Sequence, residues 1–205
     1  MVAGAAALLL CCAVPVQAAL ITLSTHSSNG FDPYTLAEYL DATLDFSVVG
    51  NDLTLTVTND TEGNPTGCEF SIVEFYLNYN STVSGLWWNG ATNGWDLDDN
   101  ENGFHVDNFG YFDARLYVTN TPKDIDPGDS ETFDFTFGGT GSVEDFTTYL
   151  SVDLFNEGDT CGLAVAQFVG GGLDGNAWAY GTTVPEPGTI CLLGLGGLLL
   201  RRRKL

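Results

Sequence analysis

Positive charge is what this 205-residue chain has least of. Six Lys and Arg side chains stand against 27 Asp and Glu, and four of the six are Arg201, Arg202, Arg203 and Lys204. A chain so poor in cations is excluded as a binder of phosphate backbones, so nucleic acid is not a partner. Histidine is nearly absent too. His26 and His105 form no His-Glu-x-x-His pair, and no Gly-x-Ser-x-Gly elbow exists, which removes the recognisable zinc-peptidase and serine-hydrolase arrangements. Carboxylates are so numerous that any fold brings some pair together, so a glycosidase pair cannot be picked from the sequence. The chain reads as non-enzymatic. There is no internal repeat, which argues against a β-helix or propeller. The glycine-rich stretch near the end lacks the Gly-Lys-Thr ending of a phosphate-cradling loop.

What is present begins with two apolar ends. Ala3 to Val16 is a run of small residues and leucine, followed by Val16-Gln17-Ala18. That layout is a secretory signal peptide, 1–18, cut between Ala18 and Ala19, although no Lys or Arg precedes the apolar run. At the other end Val184 to Leu205 reads VPEPGTICLLGLGGLLLRRRKL. Pro185 and Pro187 bias their neighbours toward extended backbone, so a helix begins no earlier than Gly188. The twelve residues Thr189 to Leu200 cover about 18 Å as a helix, against a bilayer core of about 30 Å. The cationic end stays cytoplasmic under the positive-inside rule, with the prolines on the outer side.

Between these ends lie about 166 residues, Ala19 to Val184, holding 26 acidic and two basic side chains (Arg115 and Lys123), a formal net charge of −24. Abundant aromatics separate this from a disordered acidic tail. Its cysteines are Cys68 and Cys161. In an oxidising compartment these are expected to form a disulfide, contributing about 4 to 5 kcal/mol in the chain-entropy account; two separate buried thiols are the alternative.

Local pattern predicts β-structure throughout. Leu44 to Val57 alternates apolar and polar residues on both sides of Gly50-Asn51, a two-residue turn with glycine where type II′ needs it. This sets Val48 against Leu53, Phe46 against Leu55 and Leu44 against Val57. Further strands are expected at Glu69 to Asn78, Gly110 to Thr119, Glu131 to Phe137, Thr148 to Phe155 and Gly162 to Val169, with weaker ones at Leu20 to Ser24 and Leu86 to Trp88. Ser142-Val143-Glu144-Asp145 resembles a capping box before one short helix. Seven to nine short strands imply an all-β fold: a single antiparallel two-sheet β-sandwich, jelly-roll or Ig-like, over 19–169. Gly170 to Thr183 reads as a Gly-rich linker, 170–183, with Trp178 and Tyr180 able to dock back on the domain.

Candidate ligand chemistry concentrates in Trp87 to Gly103. Asp98-x-Asn100-x-Asn102-Gly103 matches the first half of a calcium loop, oxygen ligands at alternate positions with glycine at the turn. Phe109 stands where the bidentate glutamate belongs, so Asp107 or Asp113 would substitute; a solvated acidic loop is the alternative. Trp87, Trp88 and Trp95 suggest a sugar-stacking platform, though adjacent strand residues face opposite ways and one of the pair Trp87-Trp88 belongs to the core. The sequons Asn59-Asp60-Thr61 and Asn80-Ser81-Thr82 mark exposed turns.

Pro185, Glu186, Pro187 and Gly188, the short Gly/Leu-rich stretch and the terminal cluster Arg201, Arg202, Arg203 and Lys204 together resemble the PEP-CTERM sorting signal of bacterial envelope proteins, a motif also labelled the ice-binding protein C-terminal domain. The hairpin and the Pro127-to-Phe135 segment also look like the β-rich ectodomains found on such proteins. The resemblance implies that an exosortase, a membrane cysteine transpeptidase, cuts near Pro-Glu-Pro in the sorting signal 184–205 and passes the protein to an envelope or exopolysaccharide acceptor. Before that cut the apolar segment anchors it in the inner membrane. The expected function is thus an exported protein of the cell surface or extracellular matrix, structural or adhesive and linked to exopolysaccharide. A carbohydrate-binding module, with or without Ca²⁺, is the first alternative and a polysaccharide hydrolase the second.

Overall fold

The structure, a computed structural model, describes residues 17–28, 40–61, 70–89, 94–106, 109–119, 123–151, 161–170 and 177–183. Its best-determined element from sequence is the hairpin of β2 (Ala42–Val49) and β3 (Asp52–Asn59). The observed register pairs Val48 with Leu53, Phe46 with Leu55 and Leu44 with Val57. Gly50 has φ +65° while Asn51 does not enter the positive region, the signature of a type II′ turn. The six apolar side chains point inward and are buried.

The remaining strands are β1 (Gln17–Ser28), β4 (Phe70–Leu77), β5 (Val83–Trp88), β6 (Trp95–Val106), β7 (Gly110–Val118), β8 (Ser130–Gly139), β9 (Ala164–Gly170) and β10 (Ala177–Thr183). One helical turn, α1 (Glu144–Thr147), completes the described elements. At its start the Asp145 carboxylate accepts from both the backbone N–H and the hydroxyl of Ser142, the return half of the expected capping box. The strand expected over Thr148 to Phe155 is not formed at Thr148 to Ser151, and its remainder lies outside the described residues.

All ten strands are antiparallel in one sheet of order β5-β8-β3-β2-β1-β10-β9-β4-β7-β6. This corrects the two-sheet sandwich. Pairing of β1 with β10, from Ile21 opposite Thr183 to Ser28 opposite Ala177, joins the halves into a continuous sheet that curls into a nearly closed barrel. It also corrects the linker. Residues 177–183 are a central strand, because Ala177, Ala179 and Gly181 alternate with Trp178 and Tyr180 and so offer a small-residue face to the core. A Cβ on Gly181 would stand 2.3 Å from Ile21 Cγ2, so the sheet closes here only without a side chain.

The barrel interior is one apolar cluster, rich in phenylalanine from β2, β4, β8 and β9 and joined by Phe146 of α1. A second, smaller cluster of Tyr76, Val106, Phe109, Phe112 and Val165 has Phe104, Trp178 and Tyr180 packed against it. Phe109 lies 5.0 Å from Tyr180, so Trp178 and Tyr180 do dock on the domain, as residues of β10. The first two residues of β1, Gln17 and Ala18, pair with Val48 and Ser47, so a cut between Ala18 and Ala19 would remove two rungs of the β1–β2 ladder. Residues 1–16 lie outside the described residues.

The β4–β9 ladder runs up to the segment that holds Cys161. Phe70 is opposite Gly170 and Leu77 opposite Ala164, so the ends of this ladder are roughly 20 Å apart. Cys161 is a free, half-buried thiol beyond the Leu77–Ala164 end. Cys68, and with it the expected Cys68–Cys161 disulfide, lies outside the described residues.

Candidate functional site

The two edge strands, β5 and β6, meet without a backbone ladder. β5 is bulged between Val83 and Leu86, with Gly85 at φ +114°, a conformation that favours glycine. β6 is irregular between Asp99 and Phe104, where Asn102 takes φ +49°. Both strands therefore bend at the same height, and a cleft of about 510 Å³ opens along the seam. Its lining includes Tyr79, Ser81, Ser84, Gly85, Asp99, Asn100, Glu101, Asn102, Asp113 and Tyr149.

Side chains replace the missing ladder. The Asp99 carboxylate accepts the Leu86 backbone N–H at 2.9 Å and, through its other oxygen, the Tyr79 hydroxyl. Asp113 of β7 accepts the Tyr79 N–H at 3.0 Å and the Asn102 N–H at 2.8 Å. Asp113 is buried, and burial raises its pKa, with Glu101 and Asp99 adding repulsion and the two backbone donors opposing. Burial also pushes the Tyr79 hydroxyl upward, reinforced by its bond to Asp99, so Tyr79 stays protonated as the donor. Each carboxylate thus holds two parts of the chain together across the seam.

The tryptophans separate. Trp95 is core, its ring 5.3 Å from Phe133 and its Nε1–H donating to the Lys123 carbonyl at 2.8 Å. Trp88 is half-buried between Phe133 and Phe135. Only Trp87 is exposed, at 55%. It rests against Gly85, which lines the cleft, and against Gly138, where a Cβ would lie 3.0 Å from Trp87 Cη2. The three-tryptophan platform is therefore reduced to one indole at the cleft's rim.

Of the calcium-loop candidates, Asn100, Asn102 and Asp113 line the cleft. Asp98 lies on β6 and faces Arg115 of β7, 3.8 Å away, while Asn102 spends its backbone N–H on Asp113. Asp107 lies outside the described residues. Residues 95–99 pair as strand because Trp95 and Leu97 turn toward the core, and the ladder with β7 breaks between Asp99 and Phe104. Among the described residues no group of three or more His, Cys, Asp or Glu is placed to hold a metal. Arg115 instead anchors a network on the outer face. It binds Glu74, which also accepts the Tyr76 hydroxyl at 2.6 Å, and it covers the Tyr117 ring at 4.4 Å.

Sequence reasoning missed Tyr79, Asp99 and Tyr149 as cleft residues. Asp113 carried a readable signal, a carboxylate inside the apolar strand run Tyr111-Phe112-Asp113-Ala114. The others converge only through the two bulges, which have no short-range signature.

Fold and seam together define an acidic all-β barrel with a polar cleft. Residues 183–204 match the PEP-CTERM protein-sorting motif, beginning at the final residue of β10. The motif indicates a protein targeted to an exosortase, exported and associated with the surface or membrane. No curated protein and no solved structure matches the chain. No helix among the described residues is long and apolar enough to cross a membrane; Pro185, Glu186, Pro187, Gly188, the run 189–200 and the cationic end lie outside them.

Proposed function

We propose that this chain is an exported, exosortase-processed envelope or extracellular-matrix protein whose barrel is non-enzymatic and has a structural or adhesive role linked to exopolysaccharide. The supporting observation is the sorting motif at 183–204, set directly after a strand at the centre of the sheet. In this reading the signal peptide 1–18 starts export, and the apolar tail holds the chain in the inner membrane until processing. Expression in an exosortase-bearing host, with the mature C-terminus and location determined, tests it. The wild type is expected to lose Arg201 to Lys204 and reach the surface, and Glu186→Ala to keep them and stay with the membrane. An intact cationic end on surface-located wild type would refute the reading.

A second reading, carbohydrate binding, is favoured by the exposed Trp87 at the cleft's rim. Hydrolysis is less favoured, because Asp99 and Asp113 already spend their oxygens on holding the seam.

A further inference from the structure

The β5–β6 seam is open where every other strand neighbour is paired, and its cleft of about 510 Å³ lies within the roughly 300–1,000 Å³ of ligand sites. Two features give its chemistry. The first is the seat of Trp87. Gly138 and Gly85 present bare backbone to the indole, and at Gly138 a Cβ would be 3.0 to 3.2 Å from the ring. The ring is thereby held against the sheet with more than half its surface in water, a fixed aromatic face of the size of a sugar ring. Trp87 borders the cleft through Gly85, and the exposed aromatic of the lining itself is Tyr149, at 40%.

The second feature is polarity without positive charge. Asp99, Glu101 and Asp113 face the cleft, and none of its lining residues is Lys, Arg or His. Asp99 and Asp113 are engaged within the seam, so the exposed Glu101 is the carboxylate that accepts from a ligand's hydroxyl groups, whereas a chain of uronate residues would meet like charge here, on a domain already carrying −24.

We infer that this cleft binds a short segment of uncharged, hydroxyl-rich polysaccharide, one pyranose face lying on Trp87 and the following hydroxyl groups reaching the Glu101 carboxylate. The inference rests on the carbohydrate-binding reading and deepens it by placing the site and fixing the ligand's charge.

The test is affinity gel electrophoresis of the purified protein in gels containing neutral soluble polymers (a β-glucan, a galactomannan, an arabinoxylan) or charged ones (polygalacturonate, alginate). At least one neutral polymer is expected to retard the wild type, and neither polyuronate. Trp87→Ala should weaken retardation at least tenfold with an unchanged melting temperature, Trp87→Phe less so, and Tyr149→Ala should weaken it at the same site. Retardation by no polymer overturns both the reading and the inference. Retardation undiminished in both Trp87→Ala and Tyr149→Ala leaves carbohydrate binding standing and overturns the cleft. Retardation by polyuronates alone overturns the assignment of charge.

Discussion

Asn59 shows what a single buried amide does here. Its Nδ2 donates to the carbonyls of Phe70 and Ile125, and its Oδ1 accepts the Thr61 N–H, so one side chain ties the end of β3 to the start of β4 and to the segment before β8. It is fully buried, which corrects the expectation of an exposed turn at this sequon. Asn59→Ala takes a donor from the Phe70 carbonyl and an acceptor from the Thr61 N–H, while the Ile125 carbonyl keeps the Ile72 N–H, and is expected to cost about 1–3 kcal/mol, read as a lower urea midpoint. Two carboxylates titrate in opposite senses. Burial raises Asp145, but the Ser142 N–H and the hydroxyls of Thr82 and Ser142 outweigh it and hold its pKa below the ordinary range. Its contribution is therefore present above the unfolded value of about 3.9 and lost as pH falls through the depressed folded value. Asp145→Ala should lower the melting temperature at pH 7 by an amount set by about 1 kcal/mol, and the difference from wild type should begin to shrink as pH falls below about 4 and close below the depressed folded value. Asp113, raised by burial, contributes most below its unfolded value and loses that contribution as pH rises through its folded one.

At the scale of elements, legibility followed how local the cause was. The β2–β3 register was readable because turn chemistry and alternation act within fourteen residues of chain, from Leu44 to Val57, and agree. β10 was not readable, since its inward residues are Ala177, Ala179 and Gly181. Small residues in a glycine-rich stretch resemble a linker until the neighbouring Ile21 and Leu23 supply the bulk they leave room for. β6 was hidden differently: its acidic residues face solvent and the seam, so the carboxylates read as a loop while Trp95 and Leu97 made the strand. The cleft was the least legible feature, because Tyr79, Asp99 and Asp113 meet only across three elements. Gly181→Val tests the β10 account. A side chain there collides with Ile21 and Leu23, and overpacking of this kind costs about 1–3 kcal/mol or more, so a reduced denaturation midpoint is expected, with partial recovery in Gly181→Val combined with Ile21→Ala.

For the molecule as a whole, the continuous sheet makes the last described strand, β10, structurally central. A chain ending at Thr183 is expected to fold, with a cooperative melt and dispersed NMR amide signals. One ending at Asn176 exposes the facing edges of β1 and β9 and is expected to aggregate or stay unfolded. Equal stability of the two would contradict the topology. The β1–β10 pairing also has a temporal meaning. A secreted chain crosses the membrane from its N-terminus, and residues 177–183 precede Pro185-Glu186-Pro187. By the time the sorting motif reaches the outer face, all ten strands have crossed. A copy broken off early lacks both the closing strand and the address behind it. On the proposed export route, chain order alone thus carries every described strand across ahead of the sorting motif, without any separate inspection step.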